Sequence, residues 1–194
     1  MFDQITFARE FFAALVGIDE EIVQQVAAGR CRVCGGPLHR GDFERKPRGA
    51  LMAAAGEAFR IRFSLCCGRE GCRKRTTPPS MRFLGRRVYL GGVVIMASML
   101  AQALATVEAI RKATGVPART TRRWLGWWQG PFISTEVFVA IRARLIGVAV
   151  EALPASIVRR LAGTRQEQVG ALLGWLKPIT TGSGVGSRLV RDVA

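Results

Sequence analysis

All five cysteines of this chain fall in two short clusters, Cys31-Arg-Val-Cys34 and Cys66-Cys67-Gly-Arg-Glu-Gly-Cys72. Two such knuckles supply paired thiolates from two loops, which is how a tetrahedral structural metal site is assembled. The constraint is severe, because ligands far apart in sequence must meet around one ion. Cys31 and Cys34 form the first knuckle, with Gly35-Gly36 letting backbone amides turn toward the sulfurs. In the second, Cys72 pairs with either Cys67 (C-x4-C) or Cys66 (C-x5-C). Cys67 is preferred, since Gly68 and Gly71 then lie inside the knuckle loop and Cys66 becomes an inward-packing strand residue. The single histidine, His39, reads as an ordinary strand position. The expected ligands are Cys31, Cys34, Cys67 and Cys72, holding a structural Zn2+ with no position left open for catalytic water. Residues 35–66 make a longer gap than such a ribbon needs, so an insertion must loop out, and the alanine-rich segment 50–58 is the natural candidate.

Charge points to the partner. Lys and Arg number 29 against 14 Asp and Glu, a formal charge of +15. An excess of that size favours a polyanion, and the dominance of arginine favours forked contacts to phosphate and guanine. The amino terminus carries early acids and no basic region before an apolar run, so it reads as no secretory leader. A reducing, cytoplasmic compartment is expected, with nucleoid association following from the charge. From Val88 to Val107 no charge occurs, a length that could span a bilayer. Ser98, Gln102, Thr106 and Gly91-Gly92 interrupt it, and a buried helix of a globular domain is the expectation.

The expected fold is mainly α with a small β zinc ribbon (α+β), the ribbon followed by a helical bundle containing a helix-turn-helix. Residues 1–29 read as helical, with a fresh start at Ile18-Asp19-Glu20-Glu21, where acids suit a first turn. Residues 30–83 form the ribbon. Within it a basic turn surrounds Pro47, Arg60 to Leu65 alternates charged or polar with apolar residues as a strand leading into the second knuckle, and Thr76 to Ser80 is a proline-stiffened turn. Residues 84–178 are the helical domain, with helices expected at 90–104, 106–114, 117–128, 134–152, 154–163 and 165–176. Residues 179–194 read as a flexible Gly/Ser tail.

Thr106 to Leu125 fits a helix-turn-helix frame over residues 106–128. Ile110 faces inward, Gly115 supplies a left-handed turn residue, Val116 plugs the angle, and Pro117 opens the second helix. Arg119, Thr120, Arg122 and Arg123 then project outward, suited to a major groove. Arg111 and Thr121 depart from the pattern, standing where small and branched apolar residues are usual. Trp124, Trp127 and Trp128 read as core rather than as base-stacking platforms.

With these residues in view, the chain resembles the amino-terminal region of bacterial insertion-sequence transposases that carry a zinc ribbon before a helix-turn-helix. The likeness rests on Cys31-Arg-Val-Cys34-Gly, Cys67 to Arg75, Ser80 to Tyr89 and Gly115 to Trp124, and spans residues 31–128. It implies DNA recognition without cleavage; the reading that follows is a binder of double-stranded DNA, with Arg69, Arg73, Lys74 and Arg75 of the ribbon expected on phosphates. After residue 128 the only acids are Glu136, Glu151, Glu167 and Asp192, too few to assemble two-metal cleavage chemistry. The expectation is therefore a DNA-binding accessory or regulatory protein of a mobile element, with no catalytic residues. A homodimer and a transposase or recombinase partner follow by analogy. The alternatives are a divergent or partial transposase and an RNA-binding ribbon protein.

Overall fold

The computed structural model describes residues 7–49, 55–84 and 89–181. The chain is mainly helical with a small sheet component. Helix α1, Arg9–Ala28, buries Phe12, Leu15, Asp19 and Val23 along one stripe, the spacing of an amphipathic helix. It runs unbroken through Ile18, where the sequence implies a second helix start. Asp19 is the reason: its side chain caps nothing in α1 but is buried, at 1% exposure, against a distant partner.

Among the described residues, five short strands follow. Strands β1 (Leu38–Arg40), β4 (Leu65–Cys67) and β5 (Arg75–Thr76) form an antiparallel sheet in the order β1-β4-β5, while β2 (Phe43–Glu44) and β3 (Ile61–Arg62) pair as a separate ribbon. The expected strand from Arg60 to Leu65 is thus divided between two sheets. Asp42 divides it, because its carboxylate accepts the Ser64 amide at 2.8 Å and takes that donor out of any ladder. Burial there does not follow polarity: Arg62 is 1% exposed, while Ile61 is only half-buried. Of the alanine-rich insertion, residues 50–54 lie outside the described residues; Ala55 is buried, and Glu57–Arg60 forms a 3-10 turn.

Among the described residues the later helices are α2 (Gly91–Gln102), α3 (Val107–Thr114), α4 (Ala118–Gln129), α5 (Glu136–Arg144), α6 (Ala155–Val158) and α7 (Arg165–Leu176). Among the described residues no helix is long and apolar enough to cross a membrane. The uncharged stretch supplies α2 instead, whose residues from Val93 to Met99 are all buried at the centre of the helical core. Around it pack Trp124, Trp127, Trp128 and Phe132, with ring centroids of the last three 4.8–5.2 Å apart. The buried Trp128 indole donates to Ser98 Oγ at 3.1 Å, so the polar handle of the ring is satisfied inside the core.

Two expected helices are shorter than their periodicity implies. The one expected over 134–152 ends at Arg144, because the Arg160 guanidinium bonds the Ile146 carbonyl at 2.6 Å and a 3-10 turn at Val150–Ala152 follows. The one expected over 154–163 is only Ala155–Val158. The chain must leave it to reach Thr164, which caps α7 in a reciprocal capping box with Glu167. The start of the expected tail is ordered into the fold: Lys177–Thr180 is a 3-10 turn that buries Ile179 and Thr180. From Gly182 onward the tail lies outside the described residues.

Helix α1 joins the two parts. Phe12 and Leu15 belong to the main core, whereas Val23 packs with Phe63 and Leu65 in a satellite cluster beneath the sheet. One buried ion pair fixes this arrangement. Asp19 accepts from Arg82 Nε at 2.7 Å, from Ser80 Oγ at 2.6 Å and from the Met81 amide at 2.6 Å. Arg82 also donates to the Ala58 carbonyl at 2.6 Å and lies 4.2 Å over the Phe63 ring. The Ser80 amide reaches Thr180 Oγ1 at 2.9 Å, drawing the carboxy-terminal segment into the same knot. Removing one partner of a buried, hydrogen-bonded pair costs about 3–5 kcal/mol, since the other charge is stranded. Asp19→Ala is expected to lose about that much in urea unfolding, and the double change Asp19→Leu/Arg82→Met to lose less than Asp19→Ala alone.

Candidate metal centre

The first knuckle precedes β1 and the second lies between β4 and β5, so antiparallel pairing of β1 with β4 brings the two together. Leu38 stands opposite Cys67 in that register. The sulfurs of Cys31, Cys34, Cys67 and Cys72 all lie within 4.8 Å of one another, with Cys31–Cys72 at 3.8 Å and Cys34–Cys67 at 3.4 Å. A four-coordinate ion with metal–sulfur bonds of about 2.3 Å requires sulfur–sulfur edges of about 3.8 Å, so the set fits a tetrahedral metal. The donors are soft thiolates and all four coordination positions come from protein.

The choice between Cys66 and Cys67 is decided by the strand. Adjacent residues of a strand face opposite sides, and β4 turns Leu65 and Cys67 inward to near-zero exposure. Cys66 does not pack inward as expected. It is half-buried on the other face, with its Sγ 3.5 Å from the Arg73 carbonyl. The alternation, anchored on Leu65, is the signal that separates the two. His39 is an exposed residue of β1 opposite Cys66, as its strand reading implies.

Backbone amides polarise the site. The Gly36 amide lowers Cys34 to about 6, with the Cys67 thiol adding to the effect. The Arg69 amide also lowers Cys67, but burial and the Cys34, Cys72 and Cys31 thiols outweigh it and push Cys67 up to about 12. The thiols of Cys34, Cys67 and Cys72 are coupled, so that ionisation of one opposes that of the next. A bound dication removes that opposition. Gly36 keeps the approach to the sulfurs open, since a Cβ there would stand a tight 3.0 Å from the Cys67 sulfur and 3.3 Å from that of Cys34.

The basic residues expected on phosphates divide into two kinds. Arg69 and Arg75 are exposed but serve the fold as well: Arg69 Nη1 donates to the Cys34 carbonyl at 2.8 Å, and Arg75 Nη1 to the Gly41 carbonyl at 2.7 Å. Arg73 and Lys74 are exposed on the turn between Cys72 and β5. The other basic group lies on α4. Helix α3 is capped by Thr106, whose Oγ1 accepts the Ala109 amide, and it ends at Gly115 with φ 69°, ψ 14°. Val116 follows, fully buried, and Pro117 sits at the cap position of α4, one residue before the first turn it was expected to open. Arg119, Arg122 and Arg123 are exposed at spacings of three and four on one face of α4; Thr120 is half-buried, and Thr121, Trp124, Trp127 and Trp128 form the opposite, buried face. Both departures noted at this pair of helices have local explanations. Thr121 donates to the Pro117 carbonyl at 3.4 Å, and Arg111 is a surface residue paired with Glu108 at 2.9 Å.

Besides Asp19, sequence reading missed two buried cations, Arg62 and Arg82. Burial lowers the Arg62 guanidinium to about 10, Asp19 opposing the shift while Arg82 and Arg45 add to it. Arg62 remains a cation at neutral pH, and its Nη2 donates to the Pro78 carbonyl at 2.6 Å.

No family model, curated protein or solved structure matches this chain.

Cys67→Ser is expected to abolish stoichiometric binding of a tetrahedral dication and Cys66→Ser to leave it intact. Metal content after dialysis, with thiol titration before and after chelation, measures both.

Proposed function

We propose that this chain is a zinc-stapled, sequence-preferring binder of double-stranded DNA that contacts bases through α4. The observation that carries the reading is the division of α4 into an exposed arginine face and a face of three buried tryptophans. A helix so mounted is rigid, and its free side offers Arg119, Arg122 and Arg123 at one-turn spacing, which suits guanine edges and flanking phosphates in a major groove. The left-handed Gly115, buried Ile110 and buried Val116 support reading α3 and α4 as a helix-turn-helix. The four-thiolate set favours zinc, held structurally in a ribbon. Arg73 and Lys74, with the free donors of Arg69 and Arg75, supply phosphate contacts beside it.

A role as accessory or regulatory protein of a mobile element, acting with a transposase or recombinase, belongs to this reading, as do a homodimer on a two-fold site and a place on the nucleoid. The RNA alternative leans on tryptophans as stacking platforms, and burial of Trp124, Trp127 and Trp128 weighs against it.

Selection of the zinc-loaded protein against a random duplex pool, with excess unlabelled RNA present, tests the proposal. The expected outcome is a recovered motif, with Arg122→Ala and Arg123→Ala each losing about 1–3 kcal/mol at defined base positions. Binding without any sequence preference would overturn base reading by α4, and loss of all binding to the RNA competitor would overturn the DNA partner.

A further inference from the structure

The basic turn at residues 45–48, Arg-Lys-Pro-Arg, belongs by sequence to the cysteine-bearing part of the chain, yet the fold carries it to the helix pair. Arg48 bridges to Tyr89 through the backbone, and the Tyr89 ring packs edge-on against Trp124 of α4 at 5.1 Å. Gly49 lies so close to the end of α3 that a Cβ on it would stand 3.1 Å from the Thr114 carbonyl. Thr114 is the last residue of α3, and α4 starts four residues later. The turn therefore sits beside the entry to α4, the end of a recognition helix that approaches the bases.

Its charges are placed to face outward. Lys46 and Arg48 are exposed, while half-buried Arg45 lies 5.7 Å over the Phe83 ring and anchors the turn. Pro47 between them limits the turn's freedom. The adjoining concavity, about 540 Å³ and lined by Arg45, Lys46 and Arg60, also contains Glu44 and Glu57. Glu57 pairs with Arg60 at 3.3 Å, so the concavity itself has mixed charge. Among the described residues neither Lys46 nor Arg48 has an ion-pair partner within 4.0 Å, and the two form the positive edge of the turn.

We infer that Lys46 and Arg48 form a second backbone clamp, gripping phosphates of the duplex strand that borders the groove occupied by α4. This inference rests on the proposed reading of α4 as a DNA-contacting helix and adds a surface from a distant part of the sequence. Phosphate contacts position a protein on DNA without reading its sequence. The clamp therefore governs affinity and salt dependence, whereas Arg122 and Arg123 govern the motif.

Equilibrium binding of the zinc-loaded full chain to its selected duplex and to an unrelated duplex, from about 50 to about 200 mM salt, tests this. Lys46→Ala/Arg48→Ala is expected to weaken both duplexes by a similar factor, on the order of tenfold, and to flatten the log–log salt slope by about 2, near 0.9 per lost phosphate contact. The selected motif should be unchanged. A double variant with wild-type affinity and slope, in a series where Arg122→Ala/Arg123→Ala loses the motif, would overturn the clamp and leave the α4 reading standing. Wild-type protein that binds no duplex would overturn both. Acetylation of Lys46 in the unmodified protein needs no variant: duplex DNA is expected to protect it, and full reactivity in the complex would overturn the clamp.

Discussion

The carboxylate of Asp19 is the point on which the two parts of this molecule hinge. It sits midway along α1 and collects three donors from residues 80–82, among them a guanidinium that is itself fully buried. Desolvating two charges is expensive, and their attraction compensates only when the geometry is close and most remaining valences are filled. Here Ser80 is held in turn by Thr180, and Arg82 rests on Phe63 and reaches Ala58. Apolar packing alone would let α1 slide along the core by a turn. The ion pair admits one register, and that register sets where the sheet stands relative to α2 and α4.

Some of this architecture is legible in the sequence because it is encoded over short distances. The cysteine spacing specifies two loops around one ion, and the Gly115-Val116-Pro117 run marks a turn between helices whatever surrounds it. The tryptophans fall on one face of α4 at helical spacing, and their burial follows. What is not legible depends on partners far away. Asp19 looks like a helix-opening acid until Arg82, 63 residues later, is beside it. Arg62 looks like the outward residue of an alternating strand, yet the Phe83 ring and the Pro78 carbonyl receive it. Apolar periodicity continues past Arg144 and Val158 and implies longer carboxy-terminal helices than the fold contains. Their ends are set by a guanidinium on the Ile146 carbonyl and by the competing cap at Thr164. Identity of the third metal ligand lies between: it needs the strand's alternation, which Leu65 supplies.

The arginines of this chain do three different jobs, separated by burial. Arg62 and Arg82 are structural cations inside the protein, Arg69 and Arg75 brace knuckle and strand from the surface, and those of α4 face solvent. A net positive charge read from composition cannot distinguish these uses. Only the last group, with the exposed members of the turns, contributes fully to attraction of a polyanion at contact range. The formal +15 overstates the charge available for recognition, and its distribution rather than its size carries the functional argument.

The sharing of α1 between two cores has a thermodynamic consequence. A metal that binds only the folded cysteine set adds its binding free energy to the folding equilibrium. The sheet that holds the set is packed against the same helix that lines the main core, so that contribution is not confined to the knuckles. A metal held there would stabilise the sheet, α1 and the core that α1 lines as one unit, rather than a single loop.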